Sequence, residues 1–280
     1  MLDEILNETE ILKEYKQNHR IPEKIKITDI IYLLTKDYCL QNKERKEVYK
    51  LIMEDLKKTL GNKFIYTKWN KTVKGIVNRF YRDKSIYKFE VKMNDINEIR
   101  ISQNELQTIR QLDNLVLEKI AFIMLVYAKI SKMQMQRENN DYWVNKSCSV
   151  ICREAKVGLR GDKQKRIMNE LYKKEYITTS NINTKTNIKL NFGDKESVKR
   201  EDDLIIIDFD GVVYQYLIYK GEKWKRCEGE NCEKWIRIKN NKAKYCLSCA
   251  KKNKKEQTKN VARESMRRLR NERKNGVLRK

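Results

Sequence analysis

Apolar positions in the first third of the chain recur at helical spacing. Ile30, Ile31, Leu33 and Leu34 form one set, Val48, Leu51, Ile52, Leu56 and Leu60 a second, and Trp69, Val73, Ile76, Val77 and Phe80 a third. Gly61 follows the second set, where a glycine ends a helix. The pattern predicts a helical domain over residues 1–100, with a short β-prone piece at Tyr87 to Met93. Ser102, with Glu105 three residues on, has the form of a capping box and predicts a new helix.

Leu115 to Met133 is the most apolar segment, uninterrupted from Ile120 to Ala128. Lys119 and Lys129 flank that run and leave it short of the roughly 20 residues that a membrane span requires. A helix buried on nearly all sides is expected instead. Beyond it the pattern reads as a strand at Tyr142 to Asn145, a helix at Ser147 to Lys156, a break at Gly158 and Gly161, a helix from Asp162 to Lys174, and β-prone runs at Tyr176 to Thr179 and Asn187 to Phe192. That order predicts a winged helix-turn-helix over 101–193, with Asn181 to Thr186 as the wing tip. A polar linker at 194–203 precedes two strands, Leu204 to Ile207 and Val212 to Tyr219, in a β-hairpin and zinc-finger region at 204–250, and 251–280 reads as a basic helix or tail. The expected class is mainly α with small β elements, an α+β fold.

Cysteine spacing adds chemistry to this outline. Cys227 and Cys232 are followed by Cys246 and Cys249, a pattern that suits one tetrahedral Zn2+ with four sulfur ligands in a treble-clef-like finger. A closed sulfur site leaves no position for activating water, so its expected role is to fix the start of the helix that follows. Cys39, Cys148 and Cys152 read as small buried hydrophobes, and the single histidine, His19, as a surface residue.

Charge changes the picture further. With 63 Lys plus Arg against 39 Asp plus Glu, the net charge is +24, which predicts a polyanionic partner. From Cys246 to Lys280 there are 13 Lys or Arg and 3 Glu. Lys251, Lys252, Lys254, Lys255, Lys259, Arg263, Arg267 and Arg270 are the candidate phosphate contacts there. In the Asp162 to Lys174 helix, Ile167, Met168 and Leu171 define a buried face and place Arg166, Asn169 and Lys173 opposite, side chains suited to base edges and phosphate. Lys185, at the wing, completes the set. Ala262, Met266 and Leu269 form a narrow apolar stripe at helical spacing that could hold a protein partner.

Two catalytic motifs are weighed and set aside. Asp208 and Asp210, after an apolar strand, look like the opening motif of haloacid dehalogenase-like phosphotransferases, but the chain beyond them is too short for that fold and turns to cysteine and lysine. Asp83 with Glu90 and Lys92 has the outline of a metal-dependent nuclease motif built from very common residue types. A non-enzymatic protein is expected. An acidic first turn, Asp3 and Glu4, unlike a secretory signal, together with no membrane-spanning run, leads to the expectation of a cytoplasmic protein with no membrane partner.

Leu117-Glu118-Lys119-Ile120-Ala121-Phe122, Tyr142-Trp143-Val144-Asn145, Tyr216-Leu217-Ile218-Tyr219-Lys220-Gly221-Glu222-Lys223 leading into Cys227, and Lys244-Tyr245-Cys246 together resemble proteins encoded by phages and integrative elements of low-GC Gram-positive bacteria. The resemblance covers residues 60–255 and implies a mobile-element origin and a four-cysteine finger. It implies no activity, and the four residues between Cys227 and Cys232 are a wider gap than its pattern has. The function expected from all of this is DNA binding, in regulation or replication of a mobile element. RNA binding, or a protein-directed module with nonspecific nucleic-acid affinity, are the alternatives.

Overall fold

The computed structural model describes residues 5–23, 25–135, 141–182, 185–194, 200–238 and 243–274. Among these the chain is mainly helical with small sheets, and it divides into two compact units. The first comprises residues 5 to 99 together with a short stretch from Lys132; the second comprises Arg100 to Ser131 and the residues from 141 onward.

Four helices build the first unit: α1 (Glu8–Asn18), α2 (Ile27–Leu40), α3 (Arg45–Leu60) and α4 (Tyr66–Tyr87). The periodic positions read from the sequence point inward, and Ile30, Ile31, Leu33, Leu34, Val48, Ile52, Leu56, Trp69, Val73 and Val77 share one core with Leu12 and Tyr15 of α1. Gly61 caps α3 with a positive φ of 50°. The buried Lys36 ammonium pairs with buried Glu8, whose carboxylate also accepts the Asn94 amide at 2.7 Å, so α1 is fastened to α2 by charge as well as by packing. The β-prone piece at Tyr87 to Met93 forms no strand: α4 runs to Tyr87, Lys88 caps it with a left-handed φ of 48°, and residues 89–93 join no sheet.

β1 (Ile99–Ile101), α5 (Gln103–Arg110) and α6 (Leu115–Met135) come next along the chain, with Arg100 to Ser131 belonging to the second unit. The capping box at the start of α5 is formed. Ser102 Oγ accepts the Glu105 amide at 3.1 Å, and the Glu105 carboxylate accepts the Ser102 amide at 2.9 Å. Glu105 is itself buried and pairs with Lys129 of α6 at 2.7 Å, so one side chain caps a helix and ties it to its neighbour. Within α6 the run Ile120 to Ala128 is buried without a break. No helix among the described residues is long and apolar enough to cross a membrane.

β2 (Tyr142–Val144), α7 (Cys148–Glu154), α8 (Asp162–Lys173), β3 (Ile177–Ile182) and β4 (Lys185–Leu190) follow. The three strands form an antiparallel sheet in the order β2-β4-β3. Pairing persists to Ile182 opposite Lys185, so the hairpin is tighter than the six-residue tip expected at Asn181 to Thr186; Asn183 and Thr184, between the strands, lie outside the described residues. The expected linker is anchored where it begins. Asp194 accepts the Tyr142 hydroxyl at 2.7 Å through its carbonyl and donates its amide to Glu105 at 3.0 Å.

β5 (Leu204–Ile206) pairs with β1, and α9 (Val212–Tyr219) replaces the strand expected there. Val and Tyr favour strands, but the buried positions Val212, Val213, Tyr216 and Leu217 follow helical spacing, while strand alternation would bury every second residue. Tyr216 stacks on Phe122 of α6 with ring centroids 4.8 Å apart, and its hydroxyl donates to the buried Glu118 carboxylate at 2.7 Å. Lys220 pairs with the same carboxylate. Burial, then the bond to Glu118, raise the pKa of the Tyr216 phenol well beyond the ordinary tyrosine range. The unit ends in the antiparallel hairpin of β6 (Trp224–Arg226) and β7 (Trp235–Arg237), and in α10 (Leu247–Lys274).

The Phe122–Tyr216 contact should dominate this attachment. Phe122→Ala is expected to cost about 3–5 kcal/mol and Tyr216→Phe about 1.5–3 kcal/mol, because the first empties a core site and the second removes one hydrogen bond to a carboxylate that keeps its Lys220 partner. Urea titration of both variants checks the order; equal losses would transfer the main role to the Glu118 network.

Candidate metal centre

The hairpin of β6 and β7 and the start of α10 bring four cysteines together. Cys227 follows β6, Cys232 lies in the loop before β7, Cys246 stands at the start of α10, and Cys249 is in its first turn. Their sulfur atoms all lie within 4.8 Å of one another, with Cys232 and Cys246 3.8 Å apart. A tetrahedral ion with metal–sulfur bonds of about 2.3 Å sets its sulfurs about 3.8 Å apart, so donor type and spacing fit a closed four-thiolate site. Cys227 is buried and the other three are half-buried.

Backbone geometry around the first pair resolves the wide spacing. Asn231 takes a left-handed φ of 54°, and the Cys232 amide donates to the Gly229 carbonyl at 3.1 Å, folding the four intervening residues into a tight loop. Amides of Gly229 and Cys246 point at Cys227 Sγ from 3.4 and 3.2 Å, the type of donation that stabilises a thiolate. Gly229 is required by close approach: a Cβ there would sit 2.6 Å from Cys249 Sγ. The hairpin is tied to α10 by the Glu228 amide on the Lys244 carbonyl at 3.0 Å and by Lys234 on Ser248 Oγ at 3.3 Å.

The thiols also share their protons unevenly. The Cys246 thiol is pulled down to about 6, first by the Ser248 hydroxyl and then by a Cys249 backbone bond, while Cys249 is pushed up to about 12 by hydrogen bonds with Cys232 and Cys246. Metal uptake at four thiols must release the protons they carry.

Asp208 and Asp210 meet a different fate from the phosphotransferase motif they resemble. Arg226, next to Cys227, contacts Asp208 at 2.5 Å and Asp210 at 2.9 Å, and its guanidinium lies 4.8 Å from the Trp235 ring centroid. Trp235 Nε1 donates to the Asp210 carbonyl at 3.0 Å. The acidic turn therefore anchors the cysteine-bearing hairpin. Sequence reasoning missed Arg226, Trp235 and Gly229; Asp-Phe-Asp-Gly beside an Arg-Cys pair was the available signal.

Other candidate residues fall as follows. Met168 and Leu171 are buried, Ile167 is half-buried, and Arg166, Asn169 and Lys173 are exposed on the opposite side of α8. The Lys185 side chain lies outside the described residues. Lys251, Lys252, Lys254, Lys255, Lys259, Arg263, Arg267 and Arg270 are all exposed on α10, and beyond Asn253 every described side chain of that helix is exposed. At 100° per residue, Lys252, Lys259, Arg263, Arg267 and Arg270 share one edge interrupted by Glu256, beside the stripe of Ala262, Met266 and Leu269. His19 is exposed, and Asp83 is engaged by Arg82 at 2.9 Å. Cys39 and Cys152 are buried, and burial raises the Cys152 thiol to about 11, which keeps it protonated and in the core.

Comparison with protein-family models, with curated proteins and with solved structures finds no match to this chain.

Gly229→Ala should lower metal affinity by about 10–100-fold, as the loss of a supporting contact does, while Cys148→Ser leaves metal content unchanged. Native mass spectrometry against a chelator series measures both. Retention of wild-type affinity by the Gly229 variant would show that the loop can move away from Cys249 without loss.

Proposed function

We propose that this protein binds DNA without catalysing a reaction, through a winged helix-turn-helix built from α6 to β4 and a zinc-stabilised finger that presents α10. The observation that carries the reading is α8: Met168 and Leu171 anchor it, while Arg166, Asn169 and Lys173 stand exposed together on its far side. Arginine and asparagine match guanine and adenine edges in a major groove, and lysine matches phosphate. The order helix, strand, helix, helix and hairpin, with β2 beside β4, supports a winged helix.

Zinc is the metal we assign, because four thiolates in a closed tetrahedron suit an ion with no geometric preference and no redox chemistry. It would supply structure alone, holding the start of α10 against the hairpin. The basic edge of α10 then adds affinity that is independent of sequence and steep in salt. Control of transcription or replication in a mobile element fits such a protein.

A second reading has support in one observation. Ala262, Met266 and Leu269 are exposed at helical spacing on α10, the last two by 55% and 43%, an apolar stripe that would suit a protein partner, with the lysines adding only nonspecific affinity for DNA or RNA.

Competition binding across a randomised DNA library separates the two. Arg166→Ala and Asn169→Ala should each cost about 1–3 kcal/mol at a preferred site and relax base preference, whereas Lys173→Ala should weaken all sites evenly. Unchanged affinity and preference in all three would make the protein-directed reading the better one. Truncation after Ala250 should weaken binding to every sequence and flatten its salt dependence while preference survives. An unchanged salt slope would show that α10 makes no phosphate contact.

A further inference from the structure

The first unit carries a basic surface that neither the metal centre nor α8 explains. On α4, Trp69, Val73, Val77 and Phe80 are buried. Lys68, Lys71, Lys74, Arg79 and Arg82 are exposed on the opposite side. At 100° per residue these five cover an arc of about 140°, and from Lys68 to Arg79 they extend about 17 Å along the axis. Arg82 shares its charge with Asp83. No ion pair among the described residues engages Lys71, Lys74 or Arg79.

Gly75 lies near the midline of this arc and is exposed. Glycine inside a helix loosens it relative to alanine, so a helix of 22 residues has reason to avoid one at its middle. Nothing among the described residues requires it: a Cβ at Gly75 would meet none of their atoms within 4 Å. The missing side chain leaves a shallow dip in the helix surface, flanked by Lys71 and Arg79 one turn to either side. A dip without a side chain, ringed by unpaired cations, suits the close approach of an anionic backbone.

We infer that this face of α4 is a second nucleic-acid contact surface, which seats the phosphate backbone of a DNA duplex on Gly75 between Lys71, Lys74 and Arg79. It rests on the DNA-binding reading and adds to it a sequence-independent contact outside the unit that holds α8 and α10. Three phosphate contacts would contribute about 2.7 to the slope of log K against log salt, from about 0.9 per neutralised phosphate.

The test is fluorescence anisotropy of the full zinc-loaded chain on a mixed-sequence duplex of about 30 base pairs over a salt titration. A Lys71→Ala, Lys74→Ala, Arg79→Ala triple variant should lose between about 2 and 3 from the slope. The matching triple with Lys71→Arg, Lys74→Arg and Arg79→Lys should keep it. Gly75→Gln should raise the thermal midpoint, since any side chain favours the helix over glycine, and yet weaken binding by about fivefold or more. Opposite signs for stability and affinity separate a contact surface from a structural role. A wild-type slope in the alanine triple, or wild-type affinity in Gly75→Gln, overturns the α4 surface and leaves the wider DNA-binding reading standing. A wild-type protein that shows no binding to duplex even at the lowest salt overturns both.

Discussion

Four sulfur atoms within 4.8 Å of one another cannot all be charged unless a cation lies among them. Everything beyond Lys220 depends on how that constraint is met. The strands of the β6–β7 hairpin are three residues long, and such a hairpin alone is marginal in water. A bound cation would join the hairpin to the first turn of α10 through four strong bonds. With such an ion bound, the direction in which α10 leaves the hairpin would be set by coordination more than by apolar packing.

A second device fastens that region to its own core. Arg226 lies beside Cys227 and holds the Asp208 and Asp210 turn, which leads directly into α9. In turn α9 stacks Tyr216 on Phe122 and closes Glu118 between a phenol and an ammonium. The chain from α6 to the metal centre is thus a continuous series of paired charges and stacked rings. A buried carboxylate such as Glu118 is costly when left alone, so this series specifies one arrangement of α9 more sharply than apolar contacts would.

Charge is distributed differently on the outward faces. Inside, cations are matched, as Lys36 is with Glu8 and Lys129 with Glu105. On α4, α8 and α10 the excess lies on exposed helix faces, and among the described residues no ion pair engages Lys71, Lys74 or Arg79 of α4. Mutual repulsion there disfavours the compact state, so a polyanion that bound these faces would also stabilise the fold. The long exposed length of α10 has the same logic: a helix with few apolar residues gains little from packing and keeps its charge in solvent.

Local rules were sufficient for much of this from the sequence. Periodicity placed α2, α3 and α4, because each has one face that must leave water; an unbroken apolar run placed α6, because it must leave water on nearly all sides; Ser102 and Glu105 marked the start of α5, because capping involves residues only three apart; and cysteine spacing marked the four sulfurs, because ligand chemistry depends on residue type. Tertiary structure decided the rest. Val212 to Tyr219 has strand-forming residues and becomes helix because Phe122 and Glu118, about a hundred positions earlier, offer a surface that fits helical spacing. Asp208 and Asp210 look catalytic in sequence and become an anchor because Arg226 reaches them across the hairpin. Gly229 has no local signature at all: its need for a hydrogen in place of a side chain arises only when Cys249, 20 residues on, folds back against it.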